Sequence, residues 1–223
     1  MDVAFKTKNA AVYEALREGI IDGQLKPGQK IIMSEVAKKF GLSEIPVREA
    51  IRRLESDGFV ELTPHVGAVV SKIDERELVE TYLIRIELEA LATRLAAPHV
   101  TSHDIGFLEQ KNREMKIAIN KNMPEKLGRL NKEFHLRIYQ AAPYPYLLKL
   151  ISDLWEKVER TQSVFAYVPE RATASVEEHT KIITALRSKD TLLAENLIKQ
   201  QKNRTMLALQ RYSKNNESEP IGN

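Results

Sequence analysis

The sequence predicts a mainly α-helical protein in two parts, a small N-terminal unit that ends in a β-hairpin and a larger C-terminal all-α bundle of about six helices. Three observations predict it. Apolar residues recur at helical spacing through most of the 223 residues. One pair of β-rich runs, Phe59–Thr63 and Ala68–Ser71, brackets a Pro/Gly turn. Breaks at Pro98, Asn122–Pro124, Pro143–Pro145, Pro169 and Ser188–Asp190 divide everything after Glu75 into segments of helix length.

Residues 1–7 are polar and expected to be loose. Val12, Leu16, Ile20 and Ile21 keep helical spacing, which predicts a helix over about 8–22, and Leu25–Gly28 reads as a turn. Ser34–Leu42 reads as a short helix with Val36, Ala37 and Phe40 inward and Gly41 permitting a tight turn. The next helix starts at Ser43, whose hydroxyl is a candidate cap for a free amide. Pro46 suits its first turn, and Gly58 closes it. Val47, Ile51 and Leu54 form the apolar stripe of that helix, while Arg48 and Arg52 share another face near Ile45. Two short helices joined by a glycine turn, followed by a hairpin, make a winged helix-turn-helix, whose second helix offers its N-terminal residues to the DNA major groove.

The expected domains are 1–72 for this DNA-binding unit, 73–77 for a charged linker in which Asp74 caps the next helix, and 78–212 for the bundle. A polar tail, 213–223, is expected to be disordered. Leu78, Tyr82, Ile86, Leu88, Ala90, Leu91, Leu95 and Ala96 trace a long helix to Ala97. Further helices are predicted over about 102–120, 124–141, 144–166, 170–188 and 190–212.

Composition bounds the function. The chain has no cysteine, which excludes a disulfide framework and a thiolate zinc site. It carries no run of 18 apolar residues and no signal-peptide pattern, so a cytoplasmic protein without membrane attachment is expected. The net charge is only +3, and residues 1–72 hold 11 Lys/Arg against 10 Asp/Glu. Charge alone does not point to DNA; the motif does, and its arginines must be locally clustered.

Pro27-Gly28, Ser34-Glu35-Val36-Ala37, Gly41-Leu42-Ser43, Pro46-Val47-Arg48-Glu49-Ala50, Arg53-Leu54-Glu55, Gly58-Phe59-Val60 and Gly67-Ala68-Val69-Val70 together resemble the DNA-binding domain of the GntR family over about residues 8–72. The resemblance implies that Ser34, Ser43, Glu44, Ile45, Arg48 and Arg52 face operator DNA, with the wing at His65–Gly67 entering the minor groove and His65 and Gly67 contacting DNA there. Glu44 departs from the arginine that many family members carry there. It can accept from cytosine N4 but repels phosphate. A homodimer on a pseudo-palindromic operator is expected, since two-fold proteins pair with two-fold sites.

Arg85-Ile86-Glu87-Leu88-Glu89-Ala90-Leu91-Ala92, Phe134-His135, Glu178-His179 with Ile183 and Ala185-Leu186, and Asp190 with Ala194 resemble the ligand-binding, FCD-type bundle of the fatty-acid-responsive branch of that family. In many such bundles an Asp and three His from three helices hold a divalent metal such as zinc or nickel. The matching positions here are Asn131, His135, His179 and Gln201. An Asn oxygen brings no charge and Gln is a poor substitute for imidazole. The metal site expected at Asn131, His135 and His179 therefore stands beside an alternative in which both histidines are polar core residues bonded to Asn131 and Gln201. By the same resemblance Arg85 approaches the cavity and pairs with the carboxylate of an anionic effector. An interhelical salt bridge with Glu87 or Glu89 is the other reading.

Trp155, Tyr139, Tyr144, Tyr146, Phe165 and Tyr167 read as core, His99 and His103 as surface, and the charged runs Lys111–Lys126 and Lys199–Arg204 as solvated faces. The function expected is a transcription regulator, a repressor released by a small carboxylate-bearing metabolite. A metal-dependent, hydrolase-like bundle fused to a DNA-binding domain is the alternative. Against it, the chain lacks a P-loop, a dinucleotide-binding glycine turn, a G-x-S-x-G elbow and H-E-x-x-H. A DNA-packaging role would leave the large α-domain and its polar interior unexplained.

Overall fold

The computed structural model describes residues 8–64, 66–72, 74–123, 126–159 and 164–217. Its elements in order are α1 (Lys8–Ile21), β1 (Lys30–Ile31), α2 (Met33–Phe40), α3 (Glu44–Ser56), β2 (Val60–Thr63), β3 (Gly67–Val70), α4 (Glu75–Ala96), α5 (Ser102–Asn120), α6 (Leu127–Gln140), α7 (Pro145–Glu159), α8 (Val164–Tyr167), α9 (Glu170–Arg187) and α10 (Thr191–Glu217). The chain divides into two compact units, α1–α3 with β1–β3 and α4–α10.

In the first unit the predicted stripes meet. Val12, Leu16 and Ile20 of α1 and Val47, Ile51 and Leu54 of α3 share one core with Phe59, Ala68 and Val70 of the hairpin. Both short helices end through glycine. Gly41 (φ +64°) and Gly58 (φ +78°) take the left-handed conformation that L side chains avoid. The amides that follow, Leu42 and Phe59, reach back to the carbonyls of Ala37 (2.9 Å) and Leu54 (2.8 Å), the Schellman pattern of a helix stop. The tyrosine hydroxyl of Tyr13 donates to Asp57 at 2.6 Å, tying α1 to the end of α3.

The hairpin register pairs Val60 with Val70 and Thr63 with Gly67, and the two-residue β1 adds to it, giving the antiparallel order β1-β3-β2. That third strand is absent from the sequence reading, because two residues carry no alternation to detect. Ser43 sits at the N-cap of α3 in extended conformation, but its hydroxyl accepts no helix amide. The position was legible and the bond was not.

In the second unit α4 lies along α10, α5 packs on α6 and α9, and α9 on α10. Leu108, Phe134, Ile138, Ile151, Ile182, Leu186 and Ile198 are among the side chains that fill the main core. Met115, Leu130 and Phe165 anchor a second cluster. Asp74 caps α4, accepting from Arg76 N–H (2.8 Å) and Glu77 N–H (3.3 Å), so the helix begins at Glu75, inside the stretch read as linker. A capping box, Thr101 with Asp104, starts α5. Where one helix was expected over 144–166, α7 ends at Glu159 and the short α8 begins at Val164. The tail expected from Ser213 is helical through Glu217, where α10 continues past its last buried leucine, Leu209. Residues 218–223 lie outside the described residues. Among the described residues no helix is long and apolar enough to cross a membrane.

Candidate functional site

The first candidate surface is the outer face of α3. Val47, Ala50, Ile51 and Leu54 are buried, which turns Ser43, Glu44, Ile45, Arg48 and Arg52 outward. Ile45 is 71% exposed, an apolar side chain left in water at the entrance of the helix. Glu44 and Arg48 stand 3.9 Å apart one turn from each other, a loose and solvent-exposed pair. The acid that departs from the usual arginine therefore leans toward the arginine expected to read DNA. Ser34 is exposed at the start of α2. Gly67 opens β3 with φ +100°, a conformation that favours glycine. His65 lies outside the described residues.

The second candidate lies inside the bundle. Arg85 and Glu89 are one turn apart on α4, 2% and 0% exposed, with Nε donating to Oε1 at 2.6 Å. The expected interhelical bridge is thus within one helix, since i and i+4 share a face. The other oxygen, Oε2, accepts from Lys202 Nζ of α10 at 2.9 Å and from the Tyr139 hydroxyl of α6. Trp155 of α7 lies beneath both cations, its ring 4.2 Å from the Arg85 guanidinium and 4.6 Å from the Lys202 ammonium.

His135 and His179 complete the cluster. Both are buried, and their Nε2 atoms face each other at 3.3 Å. His179 also stacks on Phe134, centroids 3.7 Å apart. His135 Nδ1 lies 3.4 Å from the Tyr139 oxygen. Donation along this chain assigns the protons. Tyr139 gives its hydrogen to Glu89, so its oxygen receives Nδ1–H of His135. His135 Nε2 is then an acceptor, and His179 must donate to it through Nε2–H. That leaves His179 Nδ1 as a bare lone pair, and it is buried without a partner. Gln201, 2% exposed, has neither amide atom bonded, and Trp155 Nε1 is likewise unpaired. The expected bonds from the histidines to Asn131 and Gln201 are not made; the histidines bond to each other. Asn131 is half-buried, one turn before His135.

The electrostatics follow from burial. It pushes both imidazoles well below their usual range, and the charge of Lys202 pushes them further the same way, joined by Arg85 at His135 and Arg171 at His179. Burial alone would raise the Glu89 carboxyl, but Arg85 and Lys202 overcome it and hold it ionised. Burial lowers the Lys202 ammonium to about 8 despite the attraction of Glu89.

This donor set does not fit a divalent metal. Among the described residues no three of His, Cys, Asp or Glu come together as ligands. The carboxylate of the cluster is spent on two cations and a phenol, and what surrounds the two imidazoles is neutral or positive.

Sequence reasoning missed Lys202, placed on a solvated face yet 3% exposed. Its signal was the spacing Ile198, Lys202, Thr205, Leu209 along one helix face. Tyr139 and Trp155, read as core, are buried but do polar work here. Tyr144 and Tyr146 are exposed, as are His99 and His103. Also unforeseen is a neighbouring buried pair, Arg171 with Glu178 at 2.8 Å, which Arg204 joins at 2.9 Å.

Two family descriptions match the chain, "Bacterial regulatory proteins, gntR family" over residues 8–70 and "FCD domain" over residues 80–201. The chain is 30% identical to the HTH-type transcriptional regulator McbR of Escherichia coli (strain K12) over 177 residues, 78% of this chain and 80% of that one. It is 29% identical to the HTH-type transcriptional repressor RspR of the same strain, over 82% of this chain and 80% of that one. The solved structure titled "E. coli McbR/YncC" superposes with a TM-score of 0.73 at 27% identity, covering 92% of this chain and 99% of that chain.

Proposed function

This chain belongs to the GntR family of bacterial regulatory proteins, carrying an FCD domain behind its DNA-binding domain, and from that membership we propose how its residues divide the work. It is a ligand-responsive, DNA-binding transcription regulator, and its relatives are regulators rather than enzymes. The outer face of α3 enters the major groove of a pseudo-palindromic operator as one half of a homodimer. Arg48 makes the principal base contact, Ser43, Glu44, Ile45 and Arg52 flank it, Ser34 positions α2 on the backbone, and the wing with His65 and Gly67 follows the minor groove. The chain acts as a repressor, and a small carboxylate-bearing metabolite in the buried centre of the bundle, read by Arg85, His135, His179 and Gln201, releases the DNA. Within the FCD-type branch this centre favours a short acid over a fatty acid, because its interior groups are polar and charged.

The observation that carries the DNA reading is the orientation of α3. Its apolar stripe is consumed by the core, so the exposed side, including the unburied Ile45, is left to meet something else. Operator footprinting with the unmodified chain and with Arg48→Ala tests it. One short protected palindrome is expected, weakened or erased in the variant. Uniform coverage of any sequence would return the α3 face to nonspecific binding.

A further inference from the structure

The mismatch between the buried centre and a metal is itself informative. Two fixed cations, Arg85 and Lys202, meet one carboxylate, Glu89, and the cluster keeps one positive charge in surplus. Glu178, the other buried carboxylate near Lys202, is matched by Arg171 and Arg204. A positive charge so enclosed is costly unless an anion answers it. The same interior holds hydrogen-bonding atoms with no partner in the protein: both ends of the Gln201 amide, the Nδ1 lone pair of His179 and the Trp155 indole N–H. Buried polar atoms are ordinarily satisfied, and the unbonded atoms of Trp155, whose ring lies against Lys202, of His179, whose other ring nitrogen faces His135, and of Gln201, the residue beside Lys202 on α10, mark places where bonds are made to something other than the chain. A divalent cation would add charge to a region already positive and would find no free carboxylate. An anion would remove the surplus. A hydroxyl or amide N–H on that anion would serve the His179 lone pair and the Gln201 oxygen.

We infer that this centre binds its effector without metal, the Lys202 ammonium taking the place of a divalent ion, and that the effector is a small organic monoanion carrying a hydrogen-bond donor. The inference rests on the effector-binding reading above and adds to it both the source of the charge and the class of ligand.

The test uses the full chain dialysed against a chelator. Thermal unfolding is followed with matched pairs of acids, acetate with glycolate, propionate with lactate and butyrate with 3-hydroxybutyrate, and with the neutral amides of the plain acids. The acids should raise the midpoint with the chelator present, the hydroxylated member of each pair more than the plain one, and the amides should not. Zinc chloride should add nothing. Lys202→Met should weaken binding of the best acid by roughly thirtyfold or more, the scale of removing one partner from a buried charge contact. Glu89→Gln should act in the opposite direction, enlarging the response by leaving two cations unanswered. These opposite signs separate a charge effect from a general loss of structure, and circular dichroism checks that both variants fold. Stabilisation that vanishes with chelator and returns with zinc would overturn the inference. So would an undiminished response in folded Lys202→Met, equal responses to acids and amides, or no response to any acid. Operator binding by fluorescence anisotropy runs in parallel. A chain that binds operator but no acid refutes the Lys202 centre alone, whereas one that binds acid but no operator refutes the regulator reading.

Discussion

At the scale of single residues, two side chains on α3 make opposed predictions. Arg48 is exposed and, among the described residues, its one ion pair is the loose one to Glu44, which leaves it able to reach a guanine edge. Arg48→Ala should cost ~1–3 kcal/mol of specific binding and flatten base discrimination, read from anisotropy on operator and random duplexes. Equal losses on both would assign Arg48 to phosphate. Glu44→Arg removes the acid that competes with DNA for Arg48 and adds a cation. It should tighten binding to all DNA and steepen the salt dependence, by about one counterion if the new contact is to phosphate. An unchanged salt slope would place Glu44 away from the backbone. The residues of the DNA-reading face were legible in the sequence because a short helix with one buried stripe leaves few choices for what points out. The buried centre was only half legible. His135, His179 and Arg85 stood out by type and resemblance, but Lys202 did not. A lysine in a charged run reads as solvated, and only its tertiary partners, Glu89 on another helix and the face of Trp155, make burial tolerable.

At the scale of elements, the helix stops and starts are the tightest link between sequence and structure. Gly41 ends α2 at φ +64° with open space where a Cβ would stand, so the cost of Gly41→Ala is conformational rather than steric. It should lower stability by about 1 kcal/mol, measured as a shift of the urea midpoint at constant slope. Helix bodies and their glycine and proline punctuation were readable, because the 3.6-residue period repeats several times within each. Features lacking that repetition were not. The two-residue β1 has no period, the Ser43 hydroxyl bond depends on a rotamer, and the end of α10 beyond Ser213 is polar on every side yet continues a helix that packs earlier.

At the scale of the whole molecule, the polar interior makes stability depend on pH in two directions. His135 and His179 titrate in the folded state well below their usual 6.5. Below that value the unfolded chain takes up protons that the folded chain refuses, so stability present above it is lost as the pH falls toward the depressed values. His179→Phe, which keeps the stack on Phe134, should flatten this acid loss in pH-dependent urea melts. Lys202 acts at the other end. Around it stand Glu89 and Arg85 from α4, His135 and Tyr139 from α6, Trp155 from α7, and Glu178 and His179 from α9. Its folded value is depressed to about 8, so the empty protein should gain stability as the pH rises from there toward the unfolded value of 10.5. Over the same range the affinity for an acid should fall, because the surplus charge is being removed. Parallel trends in the two measurements would argue that Lys202 is not the group that answers the anion. Trp155 gives this chemistry an optical consequence. It is the one tryptophan of the chain, and its indole lies against both cations of the centre. Emission excited selectively at tryptophan therefore comes from the buried centre alone, and a ligand that draws Lys202 off the ring changes the local field on the chromophore. The protein carries its own fluorimeter, and the occupancy of its interior can be titrated without a label.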